Sequence, residues 1–137
     1  MKRKSCVLML LMVTVLGTSG CSSLITGVPE GSVLMGVYAG SFNGSFNSGD
    51  VTVKVYQEPS GAKAAVGQFE CDAAYAHWQG ELKGSALNAT ILLPWGGWVK
   101  GELSPDGRLL TGTFWFDSVP HDHGSWDAKK KLGEEST

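Results

Sequence analysis

Beyond Leu16 the chain has no apolar run long enough to cross a bilayer, which takes roughly 20 consecutive apolar residues as a helix. Positive charge is sparse: 11 Lys and Arg stand against 13 Asp and Glu. The one basic run near the tail, Lys129-Lys130-Lys131, reads as a solvated strand end. Nucleic acid and anionic headgroups need a concentrated basic face, so this balance argues against both as partners. Between residues 35 and 131 no stretch sustains helical periodicity, and glycine recurs too often for a helix of any length. Catalytic signatures are missing too. No serine sits in a nucleophile elbow, no glycine-rich phosphate loop joins a strand to a helix, and no carboxylates pair on a predicted inner face. A non-enzymatic protein without a cofactor is expected.

What is present begins at the amino terminus. Lys2, Arg3 and Lys4 precede an apolar stretch from Cys6 to Leu16, broken by Thr14 and followed by Gly17, Thr18, Ser19 and Gly20. This is the layout of a secretory signal peptide over residues 1 to 20. Eleven residues cover only ~16 Å as a helix, against a hydrocarbon layer of ~30 Å, so the stretch reads as a cleaved leader rather than a span. Cleavage removes three basic residues and no acidic one, which leaves eight against thirteen and a charge of about −5 on 117 residues.

Thr18-Ser19-Gly20-Cys21 resembles the lipobox of bacterial lipoproteins, in which small residues precede a cysteine that is acylated and becomes the new amino terminus. The resemblance implies Cys21 as the lipid-attachment residue. It also implies fatty acyl chains of the palmitate kind on that residue; two or more give stable anchoring where one is marginal. Ser22 stands where lipoproteins kept at the inner membrane often carry Asp, so the resemblance implies the outer membrane, facing the periplasm. The small pair Thr18 and Gly20 also suits an ordinary signal peptidase, which would release a free secreted protein. Cys6 leaves with the leader in either case. Cys71 is expected as a small buried hydrophobe, with a Cys21 to Cys71 disulfide open if Cys21 is not acylated.

The mature chain divides into a lipidated terminus and flexible tether at 21 to 34, a folded domain at 35 to 131, and a disordered polar tail at 132 to 137. Within the domain, Val51, Val53 and Val55 alternate with Thr52, Lys54 and Tyr56. Leu87, Ala89 and Ile91 alternate with Asn88 and Thr90. Period-two alternation marks half-buried strands. Turn residues at Asn47-Ser48-Gly49-Asp50, Glu58-Pro59-Ser60-Gly61, Pro94-Trp95-Gly96-Gly97 and Ser104-Pro105-Asp106-Gly107 separate them. Eight strands follow, near 35 to 43, 50 to 57, 63 to 71, 74 to 82, 85 to 92, 97 to 103, 109 to 117 and 123 to 130, with loops short enough for antiparallel neighbours.

One pattern recurs in register: glycine, a polar residue, then a large apolar one. It begins at Gly40, Gly67, Gly80, Gly101, Gly112 and Gly124 and ends at Phe42, Phe69, Leu82, Leu103, Phe114 and Trp126. Glycine and apolar residue share a face, and an inward glycine permits tight coiling or lets a bulky neighbour lie across it. The all-β class expected is therefore an eight-stranded antiparallel up-and-down meander closing into a small barrel. Its inward residues are Tyr38, Phe42, Val51, Val53, Val55, Phe69, Cys71, Trp78, Leu82, Leu87, Ala89, Ile91, Leu103, Phe114, Phe116 and Trp126, with no buried charge. Such a barrel is filled by side chains or holds one small ligand. In architecture, over residues 35 to 131, it resembles the avidin and lipocalin style of small barrels, a likeness that carries no function by itself.

Three tryptophans are candidate contacts for a ligand or partner: Trp95 and Trp98, which flank Gly96-Gly97, and Trp115, out of phase with Phe114 and Phe116 and so outward. The loop tryptophans equally suit a cap on the barrel end. His121 and His123, with Asp117 nearby, form the candidate metal group, weighed against an ordinary solvated turn around Pro120. His77 is expected as an outward strand residue. The sequence thus points to a membrane-anchored exported lipoprotein whose barrel is a binding or interaction module, for a small apolar ligand or another envelope protein. A metal-binding envelope protein and a purely structural one are the alternatives.

Overall fold

The computed structural model describes residues 28–72, 74–118 and 121–132. Its eight strands are β1 (Val33–Gly44), β2 (Ser48–Gln57), β3 (Lys63–Cys71), β4 (Ala74–Lys83), β5 (Ala86–Ile91), β6 (Gly97–Leu103), β7 (Leu109–Phe116) and β8 (Asp122–Lys130). Each pairs antiparallel with the next, and β8 returns to β1, so the sheet closes into a barrel in chain order. The expected meander is present, with strand ends moved by two residues at most. The leader, the lipobox with Cys21 and the end of the tail from residue 133 lie outside the described residues.

The barrel interior is apolar. All the residues expected inside are buried except Leu103, which is half-buried and packs against the core. Ala65, Ala76, Val99, Leu110 and Ala128 join them from the same phase of their strands. Phe69 sits at the centre, its ring centroid 4.7 Å from Phe42, 5.1 Å from Phe114 and 5.9 Å from Phe116. Tilted and edge-on contacts like these suit the ring quadrupoles better than face-to-face stacks. The outward phase carries residues such as Thr52, Lys54, Gln68 and Glu70, opposite to the apolar exterior of a barrel that spans a membrane.

The inward glycines do two jobs. Gly67 pairs with Trp78, whose indole occupies the space a Cβ at Gly67 would need. Gly101 is likewise covered by Trp126, which sits opposite Gly112. Trp126 Nε1 points at two backbone carbonyls, 3.2 Å from that of Lys100 and 3.3 Å from that of Thr113. At Gly40, Gly80, Gly112 and Gly124 a Cβ would meet the backbone of the neighbouring strand instead. There the missing side chain allows strands to coil closely together.

The two barrel ends are built differently. At the end where the chain enters β1 and leaves β8, the Tyr38 hydroxyl donates to the Gly107 carbonyl at 2.8 Å. Burial pushes that phenol above its ordinary pKa. At the opposite end the expectation of an uncharged interior is corrected. Asp122 is 0% exposed and begins β8 with its side chain inside. Its carboxylate accepts from the backbone N–H groups of Ser45 (2.7 Å), Phe46 (3.1 Å), Asn47 (2.8 Å) and His123 (2.8 Å), and from Asn47 Nδ2 (2.7 Å). A buried carboxylate is costly without partners, and here the β1–β2 turn supplies them. Gly44 makes the room, since a Cβ there would collide with the Asp122 carboxylate.

Candidate functional site

Among the described residues the interior is packed with side chains. A cavity of about 10 Å³ lies beneath the β5–β6 loop, among Phe42, Asn47, Phe69, Cys71, Tyr75, Trp95 and Phe116. That is about the volume one water needs. Trp95 closes this end: it packs on the core, and its Nε1 donates to the Tyr75 carbonyl at 2.9 Å. Of the two uses the sequence left open for Trp95, the geometry is that of a cap.

Trp98 and Trp115 lie elsewhere. They are cross-strand partners on β6 and β7, on the outer wall. The register continues on both sides, Gln79 to Thr90 to Trp98 on β4 to β6 and Trp115 to His123 on β7 to β8, making one outward row. Trp98 is 39% exposed, with the Lys100 ammonium 5.1 Å from its ring centroid, within cation–π range. Trp115 is half-buried between two imidazoles, stacked on His121 at 5.4 Å and tilted against His123 at 5.6 Å. Its Nε1 donates to Asp117 Oδ1 at 3.1 Å. The candidate metal residues are thus disposed around an indole. Among the described residues no three or more His, Cys, Asp or Glu side chains gather where they could hold a metal ion.

Exposed apolar side chains follow the same polarity. Phe46, Tyr75, Leu93 and Trp98 are exposed near the end that Trp95 caps, while Val33, Met35 and Leu132 are exposed where the chain enters and leaves the barrel. His77 faces outward as expected, half-buried beside Tyr75, and desolvation lowers its pKa from the ordinary 6.5.

A feature the sequence reading missed is an open groove of about 420 Å³ on the outer wall of β4, β5 and β6. Gln79, Glu81, Asn88, Thr90, Trp98 and Lys100 line it, with Glu58 from the β2–β3 turn. Each polar residue looks like an ordinary outward position in its own strand, so the only signal lies in the register that gathers them.

Fold and site together define a small closed antiparallel barrel with a filled interior and an aromatic outer wall. No protein-family model matches the chain, and no curated protein does so.

Proposed function

We propose that this chain is an exported lipoprotein, anchored through Cys21 to the outer membrane and facing the periplasm. Its barrel serves as a non-enzymatic binding module that makes contact through its outer wall. The observation that carries the second part is the contrast between a filled interior and the exposed Trp98, with Trp115 beside it. A ligand carried inside would have to displace packed aromatic rings. A contact on the wall displaces only solvent. The anchor rests on the basic, apolar and small-residue sequence before Cys21. Val33 enters the barrel at the end away from Trp95, so a tether there turns the aromatic end toward the periplasm.

Two measurements test this reading. Intact mass of the membrane fraction is expected to show a chain beginning at Cys21 and carrying acyl groups, and Cys21→Ala is expected to lose them. A photoreactive residue in place of Trp98 or Trp115 is expected to capture a discrete envelope component that the same residue at Lys54 does not. An unacylated protein free of the membrane would overturn the anchor. Equal labelling at all three positions would overturn the contact wall and leave a purely structural lipoprotein.

A further inference from the structure

The groove on β4, β5 and β6 carries the reading of an outer contact wall further, to a class of ligand. The outward side chains of β4, β5 and β6 stand around an open concave space. Small residues lie side by side at its floor: Gly80 faces Ala89, and Ala89 faces Val99. A Cβ at Gly80 would run into the Asn88 carbonyl and the Ala89 backbone, so this contact is possible only with glycine. Gly80, Ala89 and Val99 leave the floor of the groove low, and the longer outward side chains around them form its rim.

We propose that this groove binds an uncharged saccharide, using Trp98 as the apolar wall and Gln79, Asn88, Thr90 and Lys100 as its polar contacts. This rests on the outer-wall reading above and names what that wall takes. The groove mixes an aromatic ring with two amides, a hydroxyl, an ammonium and two carboxylates. A sugar presents the matching surface: C–H groups on the faces of its ring and hydroxyls around the edge that both donate and accept. Gln79 Oε1 adds an independent pointer. It is buried and accepts no hydrogen bond among the described residues. A buried acceptor without a donor is costly, and turning the Gln79 amide outward to a sugar hydroxyl in the groove relieves that cost.

Other ligand classes fit less well. A peptide adding a strand needs a free sheet edge, and the closed barrel has none. A fatty or aromatic ligand would strip water from Asn88, Glu81 and Glu58 without replacing it. An acidic sugar or phosphate would meet Glu58 and Glu81, with Lys100 the one cation in the lining and Lys83 already engaged with Glu81 at 3.8 Å. Neutral hexose and N-acetylhexosamine chains remain, and these share the chemistry the groove offers.

The experiment uses the complete lipidated chain in micelles of a detergent without sugar headgroups, isotope-labelled for side-chain amide and indole N–H signals. Cellotetraose and the tetramer of N-acetylglucosamine are titrated separately, with a galacturonic acid tetramer as the charged comparison. Saturable shifts at Trp98 Nε1–H and at the Gln79 and Asn88 amides are expected with one or both neutral tetramers. The acidic tetramer is expected to give none. Trp98→Ala is expected to weaken binding about tenfold, and Gln79→Leu about fivefold. Ser41→Ala, an exposed position on β1 across the barrel from β5, is expected to leave affinity unchanged. An unchanged groove spectrum with both neutral tetramers at millimolar concentration, or shifts confined to other strands, would overturn the saccharide assignment. Equal affinity in Trp98→Ala and Gln79→Leu would do so as well. The photocapture comparison needs no sugar, so its result separates failure of this ligand class from failure of the contact wall itself.

Discussion

Asn47 and Asp122 meet across 75 residues of chain, with the backbone N–H and the side-chain amide of Asn47 both donating to Asp122 Oδ2, at 2.8 and 2.7 Å. This pair ties the first turn of the barrel to the start of its last strand. Both residues are almost wholly buried, Asn47 at 1% and Asp122 at 0% exposure.

Asp122→Ala removes the acceptor for the buried backbone and side-chain N–H groups of Asn47, and for the part-buried N–H groups of Ser45 and Phe46, of which Ser45 keeps the His123 carbonyl at 3.2 Å. Each buried donor left unpaired costs about 1–3 kcal/mol, so a loss of about 3 kcal/mol or more is expected in denaturant unfolding. Asp122→Asn keeps one oxygen and should fall between the two. A loss under about 0.5 kcal/mol for the alanine variant would show that water replaces the carboxylate.

Substitutions at the glycines separate crowding from backbone strain. Gly67→Ala pushes a methyl group into the Trp78 indole and is expected to destabilise by about 3 kcal/mol, with altered near-ultraviolet dichroism from the displaced ring. Gly61 has a positive φ of 97° but nothing within 4 Å of its Cβ position. Gly61→Ala should therefore cost only about 1 kcal/mol, from the left-handed backbone, and leave the aromatic spectrum unchanged.

Trp95 and Trp98 should differ in what they contribute to stability. Trp95→Ala removes a cap packed on the core and is expected to cost about 2 kcal/mol and to enlarge the cavity beneath it, read out by xenon-induced chemical shifts. Trp98→Ala should change stability by less than about 0.5 kcal/mol, because the residue lies on the outer wall. Equal losses at both sites would refute the division between cap and contact residue.

Acid should weaken the fold through His77. Its folded pKa is lowered by desolvation, while the unfolded value stays near 6.5. The unfolded chain then takes up the proton first. Stability from this group is present above about 6.5 and is lost as pH falls through the lower folded value. The ring is only half-buried, so the loss should be under about 1 kcal/mol. Unfolding curves at pH 7.5 and pH 5 are expected to differ less in His77→Gln than in the parent chain. An identical pH response in both would assign the effect to other groups.

How much of this was legible follows from the reach of each signal. Alternation along Val51-Val53-Val55 and Leu87-Ala89-Ile91 is local, and it placed those residues correctly inside. The glycine repeat is local in each copy, and its recurrence anticipated the indoles over Gly67 and Gly101. Asp122 escaped because its partners lie in a turn 75 residues earlier, while nearby residues suggest an ordinary polar loop. The groove escaped for a related reason. Gln79, Thr90 and Trp98 come together only once the register of three strands is known, and no single strand displays it.

Barrel closure also determines how the molecule meets mechanical load. A pull on the chain ahead of Val33 enters β1 along its length, and from Tyr38 onward β1 is flanked by β2 on one side and β8 on the other. The rungs on both flanks run across the direction of force, so they are loaded in shear together instead of being unzipped one at a time. Were the domain held at its entry strand, as the proposed anchor would hold it, a load on its wall would be borne by rungs in shear rather than in peeling.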